Sequence, residues 1–194
     1  PLTPAEESLV TLYVANLNIV KPEHIAYYEA ALLIPASYGG ARGSYVPVLY
    51  LDRTLPITIG REIWGFPKFE AEISMTSSDG VIRANVMRGG QILIDVTLEL
   101  GDPVTPGPAH TETYLLRKTI PSVGGGGAYD VDRLVTAHTL EAKWTKVVPG
   151  QAELRLGSSP SDPLNRIPVG DIVSAAYIEG SSVLDYGEVL HDYL

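Results

Sequence analysis

The sequence predicts a mainly β protein, a β-rich α+β chain built on an antiparallel sheet or barrel with a few helices and room for a small cavity. Three observations carry this. The 194 residues contain 19 Gly and 15 Pro, placed between short runs rich in Val, Ile, Tyr and Thr. Apolar and polar residues alternate clearly in "KFEAEISM" (68–75). Turn-forming clusters, "SSDG" (77–80) and "RGG" (88–90), separate successive runs. Closed antiparallel sheets of this kind commonly enclose a ligand cavity.

In order along the chain, "SLVTLYVANL" (8–17) and "GSYVPVLYLD" (43–52) read as strands. Residues 69–100, "FEAEISMTSSDGVIRANVM" and "QILIDVTLEL" joined by their turns, read as a three-strand antiparallel meander. "TYLLRKTIP", "LVTAHTLEAKWTKVV" and "QAELRLG" continue the β pattern. "GGGG" (124–127) reads as a flexible loop, because no Lys-Ser/Thr follows it as a phosphate loop requires. "PVGDIVSAAYIEGSS" (168–182) is the helix candidate, with Pro168 near its start, Asp171 in its first turn and Gly180 at its end. No internal repeat or linker divides residues 1–194, so one domain is expected.

Composition narrows the function. At 45% hydrophobic and 19% charged the chain reads as globular. A net charge of −9 argues against nucleic acid and anionic membrane as partners, since both select basic surfaces. No apolar run approaches the roughly 20 residues that span a bilayer. "PLTPAEESLV" lacks the basic and apolar regions of a secretory signal. The absence of Cys removes disulfides and thiolate chemistry, and suits a cytoplasmic location. His24, His110, His138 and His191 show no metal-binding spacing, so no metal is expected. There is no G-x-S-x-G nucleophile elbow. Lysine and carboxylate chemistry remain.

The five lysines are not equivalent. Lys21, Lys118, Lys143 and Lys146 sit in polar or mixed runs and read as exposed charges. Lys68 follows Trp64, Gly65, Phe66 and Pro67 and precedes Phe69. Two readings fit it. A lysine buried in apolar surroundings loses the hydration of its ammonium form, and the free amine it then exposes is the nucleophile that attacks carbonyls. Alternatively, a strand-edge lysine lays its stem on apolar surface and keeps its amine in water.

"GREIWGFPK" (60–68) resembles the active-site segment of the acetoacetate decarboxylase family, whose pattern is Gly-Arg-Glu, a short spacer, an aromatic and Pro-Lys. "YYEAALLIPASYGGARGSYVPVLYLD" (27–52) is similar to the family's preceding stretch, and "PLNRIPVGDIVSAAYIEGSSVLDYGEVLHDYL" (163–194) to its C-terminal end. The resemblance implies a barrel-like or cone-shaped sheet, a Schiff base between Lys68 and a keto acid substrate, and an active-site carboxylate at Glu29. It also implies a homo-oligomer and no metal or organic cofactor. Glu29 either orients substrate and moves protons or caps a turn. Tyr13, Phe66 and Arg61 are the expected substrate-binding residues. Arg61 either places a cation near the amine or pairs with Glu62 or another carboxylate.

Three departures from the family pattern stand out. Phe69 occupies the position of a second lysine, and Tyr13 falls where an acidic pocket residue is expected. The family's decarboxylases also carry an N-terminal segment with a pocket arginine, and residues 1–194 begin about where that segment would end. The chemistry expected is decarboxylation of a β-keto acid. Aldol or dehydratase chemistry through the same imine, and a non-catalytic barrel that binds a small apolar ligand, are the alternatives.

Overall fold

The computed structural model describes residues 2–6, 9–21 and 24–194. Its strands are β1 (Thr3–Pro4), β2 (Thr11–Ile19), β3 (Ile25–Tyr38), β4 (Ala41–Tyr45) and β5 (Leu49–Leu51), followed by the helix α1 (Thr54–Trp64). Then come β6 (Lys68–Glu70), β7 (Glu72–Ser78), β8 (Val81–Arg88), β9 (Gln91–Leu100), β10 (Thr113–Pro121) and β11 (Tyr129–Leu156). A 3-10 turn at Leu164–Arg166 leads to β12 (Ala175–Asp185) and β13 (Val189–Asp192). Ser8 of the first expected strand lies outside the described residues. Among the described residues no helix is long and apolar enough to cross a membrane.

The tight hairpins follow from local chemistry. Asp79-Gly80 and Gly89-Gly90 take positive φ at both central positions, the requirement of a two-residue turn matched to strand twist. They set the antiparallel meander β7–β8–β9 that the turn residues predict, with Glu72 opposite Met87 and Val81 opposite Glu99. The expected loop at residues 124–127 lies in the connection between β10 and β11.

The sheet runs β6-β5-β3-β4-β10-β11-β9-β8-β7, with β1 and β2 paired to β3 and β12 and β13 paired to β11. It departs from the expected antiparallel barrel in two ways. It is mixed, because β4 pairs parallel with β10 and β5 pairs parallel with β6. It is also open: β6 and β7 follow one another in the chain but end the path without pairing. Ala71, between them, donates its amide to Leu51 and ends the β6 run after three residues.

The helix expected over 168–182 is not formed. Residues 175–185 are β12, hydrogen-bonded along the edge of β11, with Gly150 opposite Ala175 and His138 opposite Asp185. The Val, Ile and Tyr of this stretch suit a strand, and an available edge outweighs the Pro, Asp and Gly signals. A helix lies instead at 54–64, where Pro56 is tolerated in the first turn.

Apolar side chains bury on both faces of β3 and β5. One cluster contains Tyr27, Ala31, Leu33, Leu49, Leu51 and Phe66, with Leu116, Val135 and Ala137 from β10 and β11. The other joins Ala30, Leu32 and Tyr50 to Val86, Leu93 and Ile94 of β8 and β9. Alternation along β3 therefore decides which cluster each residue enters.

Candidate active site

Register brings the site together. Across β2 and β3, Tyr13 lies opposite Ala31 and Ala15 opposite Glu29, which makes Tyr13 and Glu29 diagonal neighbours on one face. Across β3 and β5, Glu29 lies opposite Leu51 and Ala31 opposite Leu49. The parallel pair β5–β6 then sets Lys68 against Leu49. Tyr13, Glu29 and Lys68 thus share the face that carries the Tyr27–Leu51–Phe66 cluster. A slip of one residue in β3 would turn Glu29 to the other face.

The Lys68 and Glu29 side chains are each 8% exposed, and Nζ lies 3.3 Å from Glu29 Oε2. The other carboxylate oxygen, Oε1, accepts a hydrogen bond from the Tyr13 hydroxyl at 2.5 Å. The Phe66 ring lies 5.4 Å from Nζ. Lys68 therefore does not extend to water, and Glu29 sits within β3 instead of capping a turn. Burial, then the negative charge of Glu29, pushes the Tyr13 hydroxyl well above the ordinary tyrosine range. Burial and Glu29 raise Tyr27 in the same way, and burial, Glu112 and Glu29 raise Tyr114. Glu29 is consequently surrounded by neutral phenols.

The segment "GREIWGFPK" can be explained residue by residue. Gly60, buried on α1, faces the lysine stem: a Cβ there would lie 2.5 Å from Lys68 Cε and 2.8 Å from Nζ. The Arg61 guanidinium donates to the Lys68 carbonyl at 3.2 Å, so it holds the lysine's backbone, and Glu62 is not its partner. Gly65 ends the helix at φ 79°, its amide bonded to the Arg61 carbonyl. A Cβ at Gly65 would also meet Lys118 Cβ at 2.6 Å. Lys118 instead donates its amine to the Ile63 carbonyl at 3.0 Å, placing a cation at the helix C-terminus. Trp64 Nε1 donates to the Asp185 carbonyl at 3.1 Å, which ties the helix end to β12. Helix, turn and strand together aim the amine of Lys68 inward.

Phe69 points the other way. It is 36% exposed, its ring centre lies 6.5 Å from that of Tyr50, and the Arg88 guanidinium lies 5.0 Å from its ring. The residue after the lysine is therefore on the far face from Nζ. Gly60, Tyr27 and Tyr114 are not among the site residues expected from the sequence. For Gly60 a signal existed, its place at the head of the Gly-Arg-Glu motif; for the two tyrosines none did, because their approach depends on long-range packing.

Lys68 does not line either of two surface concavities. The larger, about 700 Å³, opens between Asp52, Glu70 and Arg88. The smaller, about 270 Å³, is lined by residues that include Tyr114 and Trp144. Among the described residues no group of three or more His, Asp or Glu could hold a metal ion.

Comparison with known proteins places this geometry in a family. The description Acetoacetate decarboxylase (ADC) matches residues 1–194. Acetoacetate decarboxylase from Acidiphilium cryptum is 36% identical over 179 residues, covering 87% of this chain and 69% of that protein. Acetoacetate decarboxylase 1 from Mesorhizobium japonicum is 32% identical over 176 residues, with the same coverage. The crystal structure of acetoacetate decarboxylase from Legionella pneumophila has the same fold, with a TM-score of 0.84 at 23% identity over 99% of this chain and 77% of that one. The fold also extends to the enduracididine biosynthesis enzyme MppR complexed with pyruvate, at a TM-score of 0.74 and 16% identity over 90% of this chain and 70% of that one. The chain belongs to the acetoacetate decarboxylase family of carboxy-lyases.

Proposed function

We propose that this protein decarboxylates a β-keto acid through an imine on Lys68. The observation that supports this most is the buried Lys68 amine, 3.3 Å from a Glu29 carboxylate whose other oxygen is held by Tyr13. Glu29 Oε2 is within hydrogen-bond reach to take a proton from Nζ, and the neutral amine so formed is the nucleophile.

The amine adds to the ketone carbon, with its proton passing to the carbonyl oxygen. Loss of water, assisted by the Glu29 proton, leaves a protonated imine. The electron pair of the bond to the carboxylate moves toward the imine nitrogen, CO2 departs and an enamine remains. Protonation at carbon, followed by hydrolysis, returns the ketone and the free amine. The substrate carboxylate loses its charge as CO2, a change that apolar surroundings such as Phe66 favour. Arg61 serves this reaction by fixing the Lys68 backbone.

This reading carries further expectations. The reaction needs no metal or organic cofactor, because the protonated imine is itself the electron sink. A homo-oligomer is supported by exposed apolar side chains near the C-terminus, among them Val173 and Tyr186 at 75% and 71% exposure. The cysteine-free, acidic composition suits a cytoplasmic enzyme that binds neither nucleic acid nor membrane.

A second reading, aldol or dehydratase chemistry through the same imine, has one specific observation in its favour. MppR, which shares the fold, has been crystallised with the condensation product of pyruvate and imidazole 4-carboxaldehyde. The test supplies acetoacetate and longer β-keto acids in one set of assays, and pyruvate with an aldehyde in another. CO2 release from the first set supports decarboxylation. Condensation products from the second, with no CO2 from the first, would replace it by the aldol reading.

A further inference from the structure

We propose that Tyr114 and Trp144 form the mouth of the Lys68 site and select the acyl end of the substrate, so that the site takes a β-keto acid whose ketone carries a chain of several carbons or an aryl ring. The inference rests on the imine reading above and adds the substrate class.

Tyr114 belongs to two places at once. Its ring packs edge-on against Phe66 at 5.3 Å, and Phe66 lies 5.4 Å from the Lys68 amine. It also lines the concavity of about 270 Å³, together with His110, Thr139, Trp144, Ile178 and Gly180. On β10 and β11, Tyr114 lies opposite Ala137, a member of the cluster that contains Phe66. The concavity therefore adjoins the face that carries Lys68 through the Phe66 and Tyr114 rings. Burial raises the Tyr114 hydroxyl above the ordinary tyrosine range, with smaller contributions from Glu112 and then Glu29.

The backbone of β11 turns Trp144 into this mouth. Val135 and Ala137 occupy alternate positions on the cluster face, and Thr139 continues that alternation into the concavity. Strict alternation would next bring residues 141 and 143, yet Ala142 and Trp144 line the concavity. The register against β12 shifts between Leu140 and Lys143, and Glu141 adopts φ 51°. Positive φ is uncommon for a residue other than glycine and costs of order 1–3 kcal/mol. This irregularity changes the parity of the strand, a known use of β-bulges beside active sites.

The indole is then held in place. The His110 ring meets it edge-on at 5.3 Å and 80°. Gly180 lies opposite Trp144 on β12, where a Cβ would lie 3.2 Å from Trp144 Cδ1 and would also strike the Lys143 carbonyl. Ala142, a small side chain, also lines the concavity. A volume of about 270 Å³ compares with roughly 30 Å³ for one water, so it accommodates a short alkyl chain or a ring. With its ketone carbon at Lys68, acetoacetate presents only a methyl group toward this mouth. An acyl group long enough to pass Tyr114 would meet the indole, and each methylene in such a pocket changes kcat/KM by roughly ten- to two-hundredfold.

The test compares CO2 release from acetoacetate, 3-oxohexanoate and 3-oxo-3-phenylpropanoate by the full chain and by Trp144→Ala and Trp144→Phe. The unaltered protein should favour the longer acids by at least tenfold in kcat/KM. That ratio should collapse in Trp144→Ala and be partly retained in Trp144→Phe. A ratio that Trp144→Ala leaves unchanged, or a preference for acetoacetate in the unaltered protein, overturns the proposal. A second measurement does not depend on turnover. In Lys68→Ala combined with Trp64→Phe, Trp144 is the remaining tryptophan, and its fluorescence should change on addition of the longer acids and little with acetoacetate. No change with any acid overturns the mouth. Failure of the imine reading looks different: no CO2 and no borohydride adduct from any keto acid, with the fluorescence response still present.

Discussion

Gly60→Ala separates the lysine's placement from the stability of the fold. Gly60 lies inside α1, where alanine is favoured over glycine by about 1 kcal/mol. The added methyl would lie 2.5 Å from Lys68 Cε, 2.7 Å from Cδ and 2.8 Å from Nζ, whereas non-bonded carbons sit comfortably at about 3.5–4.0 Å. All three atoms belong to the end of a flexible side chain, so the chain can give way by roughly 1 Å and absorb the clash at the low end of the 1–3 kcal/mol typical of overpacking. The helix gain offsets most of that, and Tm should move by only a few degrees, at about 2–4 °C per kcal/mol for a chain of this size. The amine, however, leaves its position 3.3 Å from Glu29. Misplacement of a reacting group by about 1 Å costs on the order of a hundredfold in rate. The assay measures kcat/KM for CO2 release beside a thermal melt. A folded Gly60→Ala protein with undiminished activity would refute the claim that Gly60 exists to seat the lysine.

Other predictions rest on the neighbouring contacts. Tyr13→Phe leaves Glu29 Oε1 without its donor, a loss of about 1–3 kcal/mol; where that loss falls on the transition state, kcat drops roughly ten- to hundredfold with KM nearly constant, and a changed KM at constant kcat would show that Tyr13 acts in binding alone. Phe69→Lys should leave the pH profile of kcat/KM nearly unchanged, because position 69 faces Tyr50 and Arg88; a shifted acidic limb would show that a cation there reaches the amine after all. Asp162 predicts the acid stability of the fold: burial pushes its carboxyl up, but hydrogen bonds from Ser159, Tyr50 and Arg88 outweigh burial and hold it below the ordinary range. A carboxylate lowered in the folded state contributes stability that is present above its unfolded value near 3.9 and lost as pH falls through the folded value, so Tm should fall below about pH 4 and Asp162→Asn should flatten that fall.

Much of the architecture follows from short-range signals, and the exceptions have physical causes. The β7–β8–β9 meander is legible because Asp79-Gly80 and Gly89-Gly90 force two-residue turns. The segment 168–182 misleads because its Pro, Asp and Gly imitate helix ends, while the free edge of β11 captures Ala175–Asp185 as a strand. The helix at Thr54–Trp64 is hidden by Pro56, two threonines and β-branched isoleucines, and is stabilised by the packing of Ile57 and Trp64 on the core. Barrel closure was not readable, since whether β6 and β7 pair depends on the geometry of the whole sheet. At the site, Lys68 is singled out by its apolar neighbours in sequence and Glu29 only by resemblance. The Tyr13–Glu29 bond and the approach of Lys68 to Glu29 depend on register across β2, β3, β5 and β6, which no local pattern specifies.

The central claim is that Lys68 forms the imine, and borohydride trapping tests it most directly. The protein is incubated with acetoacetate or a longer β-keto acid, reduced, and examined by intact mass and peptide mapping. The account predicts one adduct per chain, on the peptide carrying Lys68, with the mass of the decarboxylated ketone, and none in Lys68→Ala. CO2 release without any trapped adduct, or an adduct that persists in Lys68→Ala, would contradict it.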